Sequence, residues 1–195
     1  MKSIRFAIAA LILSSIALPA WASERYPTEQ ELSQLSRQFK QKLPTLKKDR
    51  MYQDRRTPTE QQQVKSFVDA WSKLDSQTAP FLGMWTAIEE SMSIYPSKAK
   101  GQVCIIETFL ADRGLGVSFT TATVTNNGLR AGDKKVLIKE GNFLANAFVY
   151  EGKPGIYEYA HPRPLSNPEA TDYLRNEPKV VEQFNQAGCI SSLPK

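Results

Sequence analysis

Residues 116–150 read GVSFTTATVTNNGLRAGDKKVLIKEGNFLANAFVY. Runs rich in β-branched and aromatic residues alternate here with turn residues, at the spacing of antiparallel strands. Asn127-Gly128 is the strongest hairpin signal, because both residues tolerate positive φ and a type I′ turn matches the twist of paired strands. Connections this short exclude crossover helices, so neighbouring strands are antiparallel. From Phe143 to Tyr150, Phe143, Ala145, Ala147 and Val149 alternate with Leu144, Asn146, Phe148 and Tyr150, so both faces of that strand carry apolar side chains. A sheet of this kind has to curl, filling one side and covering the other.

Working outward, the pattern predicts six strands: Met84 to Tyr95, with a break near Glu89-Glu90, then Gln102 to Leu110, Gly116 to Thr125, Leu129 to Ile138, Phe143 to Tyr150 and Gly155 to Ala160. Glu140-Gly141 and Lys153-Pro154-Gly155 mark further turns. On the amino-terminal side, Thr28-Glu29-Gln30-Glu31 has the form of a capping box and opens a helix striped by Leu32, Leu35, Phe39 and Leu43, which ends at Pro44. Thr57-Pro58-Thr59-Glu60 opens a second, striped by Val64, Phe67, Val68, Trp71 and Leu74. After the sheet, Asn167-Pro168-Glu169 is a helix start, and Pro178 begins a short helix stopped at Gly188. The fold expected is α+β: an antiparallel β-meander of about six strands, curled into a small barrel-like sheet, preceded by two amphipathic helices and followed by a short C-terminal helix.

The first 22 residues carry Lys2 and Arg5, an apolar run from Phe6 to Leu18 and the small residues of Ala20-Trp21-Ala22, the pattern of a secretory signal peptide cleaved before Ser23. The organisation expected is therefore a signal peptide at 1–22, a helical pair with a basic connector at 23–76, and an antiparallel β domain with its C-terminal helix at 77–195. The last is expected to fold alone, with the helical pair as an arm or lid. Export places the protein in the periplasm or outside the cell. Cys104 and Cys189 are its two cysteines, and in an oxidising compartment they are expected to form a disulfide.

Removing Lys2 and Arg5 lowers the net charge from +5 to +3. The excess lies in the connector between Lys40 and Arg56, where Lys47, Lys48, Arg50, Arg55 and Arg56 form a candidate contact for an anionic surface and, more plainly, a solvated link. Nucleic acid is excluded by export and by the lack of stacking aromatics beside Tyr52, and membrane contact is at most peripheral. One histidine and two cysteines exclude most metal sites built from these residues, and no metal or cofactor is expected.

Gly83-Met84-Trp85 and Thr171-Asp172-Tyr173 are similar to the G-x-W and T-D-Y signatures of lipocalins, as is a cysteine just past a terminal helix. The resemblance covers two tripeptides. The second lies in a proline-flanked, helix-like stretch with no two strands after it to complete an eight-stranded barrel, and the chain is not assigned to that family. Trp85 is expected to plug one end of the sheet.

His161 has no nucleophile or orienting carboxylate near it in sequence and reads as an exposed loop residue. Glu89 and Glu90, adjacent on a strand, point to opposite faces and cannot share one substrate. Trp85, Phe148, Tyr150, Tyr157 and Tyr159 are the candidate ligand-binding residues, and cross-strand packing is the competing role for the same aromatics. No catalytic residue is assigned. The function expected is that of an exported, non-enzymatic accessory or binding protein, whose β domain engages an apolar small molecule or an envelope partner protein. A carboxylate-dependent glycan hydrolase, or a surface-adhering protein acting through the basic connector, is the alternative.

Overall fold

The computed structural model describes residues 23–111 and 114–194. The expected signal peptide lies outside the described residues. Eight antiparallel strands close into a barrel in sequence order: β1 (Gly83–Thr86), β2 (Glu90–Pro96), β3 (Gln102–Ala111), β4 (Gly114–Thr125), β5 (Gly128–Ala131), β6 (Val136–Glu140), β7 (Phe143–Tyr150) and β8 (Lys153–Arg163). The count of about six is corrected to eight. Two of the expected strands are hairpins: Met84 to Tyr95 turns back between Thr86 and Glu90, and Leu129 to Ile138 turns back between Ala131 and Val136. The barrel is complete at Arg163, so the requirement for strands beyond Thr171 falls away.

Turn residues differ from expectation in all three marked hairpins, and at β6–β7 they are Gly141-Asn142, with Glu140 still paired to Phe143. At β4–β5 the two turn residues are Asn126 and Asn127, while Gly128 pairs with Thr125 and carries the positive φ of +127°. A type I′ turn would have put positive φ on both turn residues, so the glycine instead absorbs the twist as the first residue of β5. A Cβ at Gly128 would sit 2.1 Å from the Leu137 carbonyl oxygen, which fixes glycine there twice over. At β7–β8 the turn is Glu151-Gly152, both with positive φ, and Lys153-Pro154-Gly155 already belongs to β8.

Two helices precede the barrel and one follows it. Helix α1 (Glu29–Leu46) starts with Thr28 in a full capping box and runs through Pro44 rather than ending at it. Its Leu32, Leu35, Phe39 and Leu46 pack on Val136, Ile138, Phe143, Ala145, Ala147 and Ala160, covering the outside of β6, β7 and β8. Helix α2 (Pro58–Ser72), capped the same way by Thr57 and Glu60, brings Trp71 to one end of the barrel, while Leu74 remains exposed. Helix α3 (Pro178–Gln186) lays Val180 and Phe184 on the outward side chains Tyr95, Cys104 and Ile106. Gly188 follows it with φ +69°, and the Cys104–Cys189 disulfide joins this terminal segment to β3. Asn167 caps a single 3-10 turn, Pro168–Ala170, where a helix start was expected.

Strand alternation sorts the interior into two halves. At the lower end, where α2 and the Ala79–Phe81 turn approach, Phe81, Leu82, Trp85, Met92, Ile94, Val103, Ile105, Leu129, Leu137 and Leu144 fill the lumen. Trp85 is fully buried and donates its indole N–H to the Phe81 carbonyl at 2.7 Å, making it the plug that its area and polar handle suggested. At the upper end, ringed by the β1–β2, β3–β4, β5–β6 and β7–β8 connections, the inward positions become polar.

Candidate functional site

Four inward positions of the apolar register hold charged or amide residues: Glu90 on β2, Glu107 on β3, Asn146 on β7, and Lys135 at the head of β6. Together with Asp133 they surround a cavity of about 120 Å³ whose walls include Phe109, Ser118, Thr120, Phe148 and Tyr157. The short β5–β6 hairpin makes room for it. Residues β4 Gly114–Thr125 and β7 Phe143–Tyr150 extend past a hairpin whose strands stop at Ala131 and Val136, and the intervening turn carries Asp133 and Lys135 to the cavity.

The aromatic walls rest on glycine. Phe109 pairs with Gly116 and Phe148 with Gly155 across their ladders. A Cβ at Gly116 would lie 2.4 Å from the Phe109 ring and one at Gly155 would lie 3.0 Å from Phe148, so each ring occupies the space that a side chain opposite it would take.

The Lys135 ammonium donates to Glu107 at 2.8 Å and lies 2.8 Å from Asp133, with only 7% of the lysine side chain exposed. Burial works to lower its pKa, but the two carboxylates outweigh burial and hold it above the ordinary lysine value, so it is charged. Burial pushes the Glu107 carboxyl up, against the pull of Lys135. Glu90 accepts from the Tyr159 hydroxyl at 2.8 Å, and burial raises that phenol well above its ordinary value. Tyr157, pushed up to about 12 chiefly by burial, donates to the Ile88 carbonyl and closes part of the rim. Asn146 Oδ1 and Asp133 Oδ1 are both buried without a hydrogen-bond partner.

Of the aromatics singled out in the sequence, Phe148 and Tyr157 line the cavity. Tyr159 lies in the core beneath it, Trp85 belongs to the plug, and Tyr150 is exposed at the upper rim. Glu90 faces inward, as the alternation argument allows for one member of Glu89-Glu90, and Glu89 takes the positive φ of the preceding turn. Glu107, Asp133, Lys135, Asn146 and Phe109 were missed. The available signal was a charged or amide residue in phase with apolar ones, as in Val103, Ile105, Glu107, Phe109 and in Leu144, Asn146, Phe148.

In the basic connector, Lys47, Lys48, Arg50 and Arg55 are exposed. Arg56 is not: its guanidinium chelates Asp54 at 2.7 and 2.8 Å and donates to the Pro162 carbonyl at 2.9 Å, tying the connector to β8. Asp54 is held at about 2 chiefly by that hydrogen bond. His161 is a correction. It lies on β8 with φ +46°, its Nε2 donates to the Tyr52 carbonyl at 2.9 Å, and its ring leans on Phe143, so it clamps the connector instead of standing in an exposed loop. Burial lowers its pKa and keeps the imidazole neutral at pH 7.

Among the described residues, no group of three or more His, Cys, Asp or Glu is placed to hold a metal ion, and no helix is long and apolar enough to cross a membrane. No protein-family model, curated protein or solved structure matches the chain.

Proposed function

We propose that this is an exported, non-enzymatic binding protein that takes a small molecule into the upper end of its barrel. The observation that carries this is the contrast within one lumen, packed solid at the plug and hollow at the opposite end around charged, amide and aromatic side chains. A cavity with apolar walls and a few convergent polar groups is the usual form of a small-molecule site. Its volume is well below the roughly 300–1,000 Å³ of drug-sized sites, so the occupant is about the size of a single ring. The disulfide fits the oxidising compartment that export implies.

Docking of an envelope partner protein is the second reading, favoured by Ile88, Leu110, Leu115 and Tyr150, which are large, exposed and grouped on strands and turns of the same upper end. The hydrolase alternative draws two carboxylates, Glu90 and Glu107, into one cavity. Each is already bonded, to Tyr159 and Lys135, and the space does not admit a sugar with its leaving group.

Native mass spectrometry of protein isolated from its source tests the proposal, together with amide shift mapping of the labelled protein against single-ring fragments. A bound small molecule, or shifts centred on Glu107, Phe109, Asn146, Phe148 and Tyr157, is expected. Shifts confined to other surfaces and the absence of any bound species would overturn it.

A further inference from the structure

Resting on the cavity reading, we infer that the ligand is a small organic amine bound as its ammonium form, with its N–H groups turned to Asn146 and the carboxylates and its apolar body against Phe109, Phe148 and Tyr157.

Charge comes first. Three carboxylates, Glu90, Glu107 and Asp133, face one ammonium, Lys135, so the lining carries a formal charge of −2 with all four ionised and −1 with Glu107 protonated. Either way the excess is negative, and charges partly screened from water attract an opposite charge more strongly than surface ones. An anionic ligand would meet repulsion from the remaining carboxylates even if it reached Lys135.

Hydrogen bonding gives the same answer independently. Asn146 is 5% exposed, lines the cavity and has an Oδ1 without a donor, and Asp133, which lines the same cavity, has a buried and unpartnered Oδ1. Buried acceptors are satisfied only by donors, and an ammonium is all donor. A carboxylate or ether would add acceptors to a site that already lacks donors.

Neither feature points to a bare metal ion, because the carboxylates are not grouped to close on one. The walls point away from it too. Phe109 and Phe148, flattened onto Gly116 and Gly155, present rings to the cavity, and ring faces attract organic cations while burying apolar carbon. The site also contains its own precedent, since two of its carboxylates already hold one alkylammonium, that of Lys135, at 2.8 Å each.

Titration calorimetry at pH 7 with benzylamine, benzyl alcohol and benzoate, three molecules of one shape and different charge, tests this. Benzylamine is expected to bind at least about tenfold more tightly than the alcohol, equivalent to about 1.4 kcal/mol, with benzoate weaker still. Asn146→Leu and Glu90→Gln are each expected to weaken benzylamine by about threefold to tenfold, the second while leaving an acceptor for Tyr159. Melting temperature and near-ultraviolet dichroism establish that each variant is folded, and a misfolded variant is replaced by Asp133→Asn, for which the same weakening is expected. Equal or tighter binding of the alcohol or benzoate at the cavity overturns the amine assignment and leaves the cavity reading standing. Benzylamine binding that no folded variant weakens places the amine elsewhere on the protein and overturns the proposal. Failure of all three molecules to bind overturns it as well, while the mass spectrum and shift map decide the cavity reading on their own.

Discussion

The two ends of the barrel use the same strands and the same inward alternation, yet they do opposite things with the space they enclose. The lower end drives Trp85, Phe81, Leu82 and Trp71 into contact and leaves no polar side chain of that group unpaired, with both indoles donating to backbone carbonyls. The upper end keeps five charged or amide side chains around a hollow and tolerates two orphaned acceptors. Burying apolar area stabilises the fold by about 25 cal/mol per Å², whereas an unpartnered buried acceptor costs about 1–3 kcal/mol. Stability therefore resides at the plug. The hollow end departs from efficient packing, and in the function proposed a ligand would restore the balance there, as functional sites commonly do.

The most severe way to break the comparison is to remove residues 23–76. That takes Trp71 from the plug and uncovers the β6–β8 face on which Leu32, Leu35 and Phe39 lie. Four large side chains at about 1.5–3 kcal/mol each rival a total stability of about 5–15 kcal/mol. The fragment is expected to show no cooperative melting transition. A cooperative melt near that of the intact protein would instead bear out the sequence expectation that the helices are an arm or lid.

Trp85→Ala attacks the lower end alone. It empties the largest fully buried position, and denaturant titration is expected to show a loss of about 3–5 kcal/mol. Asp54→Asn is a smaller change in the clasp between the connector and β8. Asp54 sits at about 2 in the folded protein, below its ordinary 3.8, so its contribution is present above about pH 4 and lost as pH falls towards 2. The difference in stability between wild type and variant is expected to be about 1 kcal/mol at pH 6, after allowing for solvent exposure, and to vanish near pH 2. A difference that grows on acidification would contradict the hydrogen bond from Arg56 as its cause.

At the upper end the expected stability effects are smallest and the binding effects largest. Gly116→Ala pushes the Phe109 ring towards the hollow. Shift mapping with ring fragments is expected to lose the cavity signals, with a melting shift worth less than about 1 kcal/mol. The triple change Glu107→Gln with Asp133→Asn and Lys135→Met is expected to be about neutral or stabilising, because replacing every member of the buried ion cluster removes three desolvation costs along with two attractions. Destabilisation by several kcal/mol would mean that the charges belong to the architecture and would erase the distinction between the two ends.

How far the sequence reached depends on which residues are considered. Capping boxes at Thr28 and Thr57 and the Gly188 stop are local, and each appears where its residues suggest. The break at Glu89-Glu90 was legible as an interruption, yet counting it as one strand rather than two hid the closure. Leu129 to Ile138 was misread for a related reason: Ala131 to Lys135 turns through Lys134 at φ +68°, a conformation that the local sequence Gly-Asp-Lys-Lys does not signal strongly. His161 was placed wrongly because its partners, Tyr52 and Asp54, lie about a hundred positions away in the chain.

By itself, the sequence determined what short-range physics determines. It established the antiparallel meander through its turns, the two-faced apolar alternation that forces curvature, the three helices with their stripes, and the one available cysteine pair. Only the tertiary structure decided that eight strands close, which end is plugged, and that Glu90, Glu107, Asp133, Lys135 and Asn146 meet around one hollow. Alternation assigns a side chain to one of two faces. It cannot say which face becomes the lumen or how high in the lumen a residue stands, because those follow from strand register and from the shortness of one hairpin relative to its neighbours.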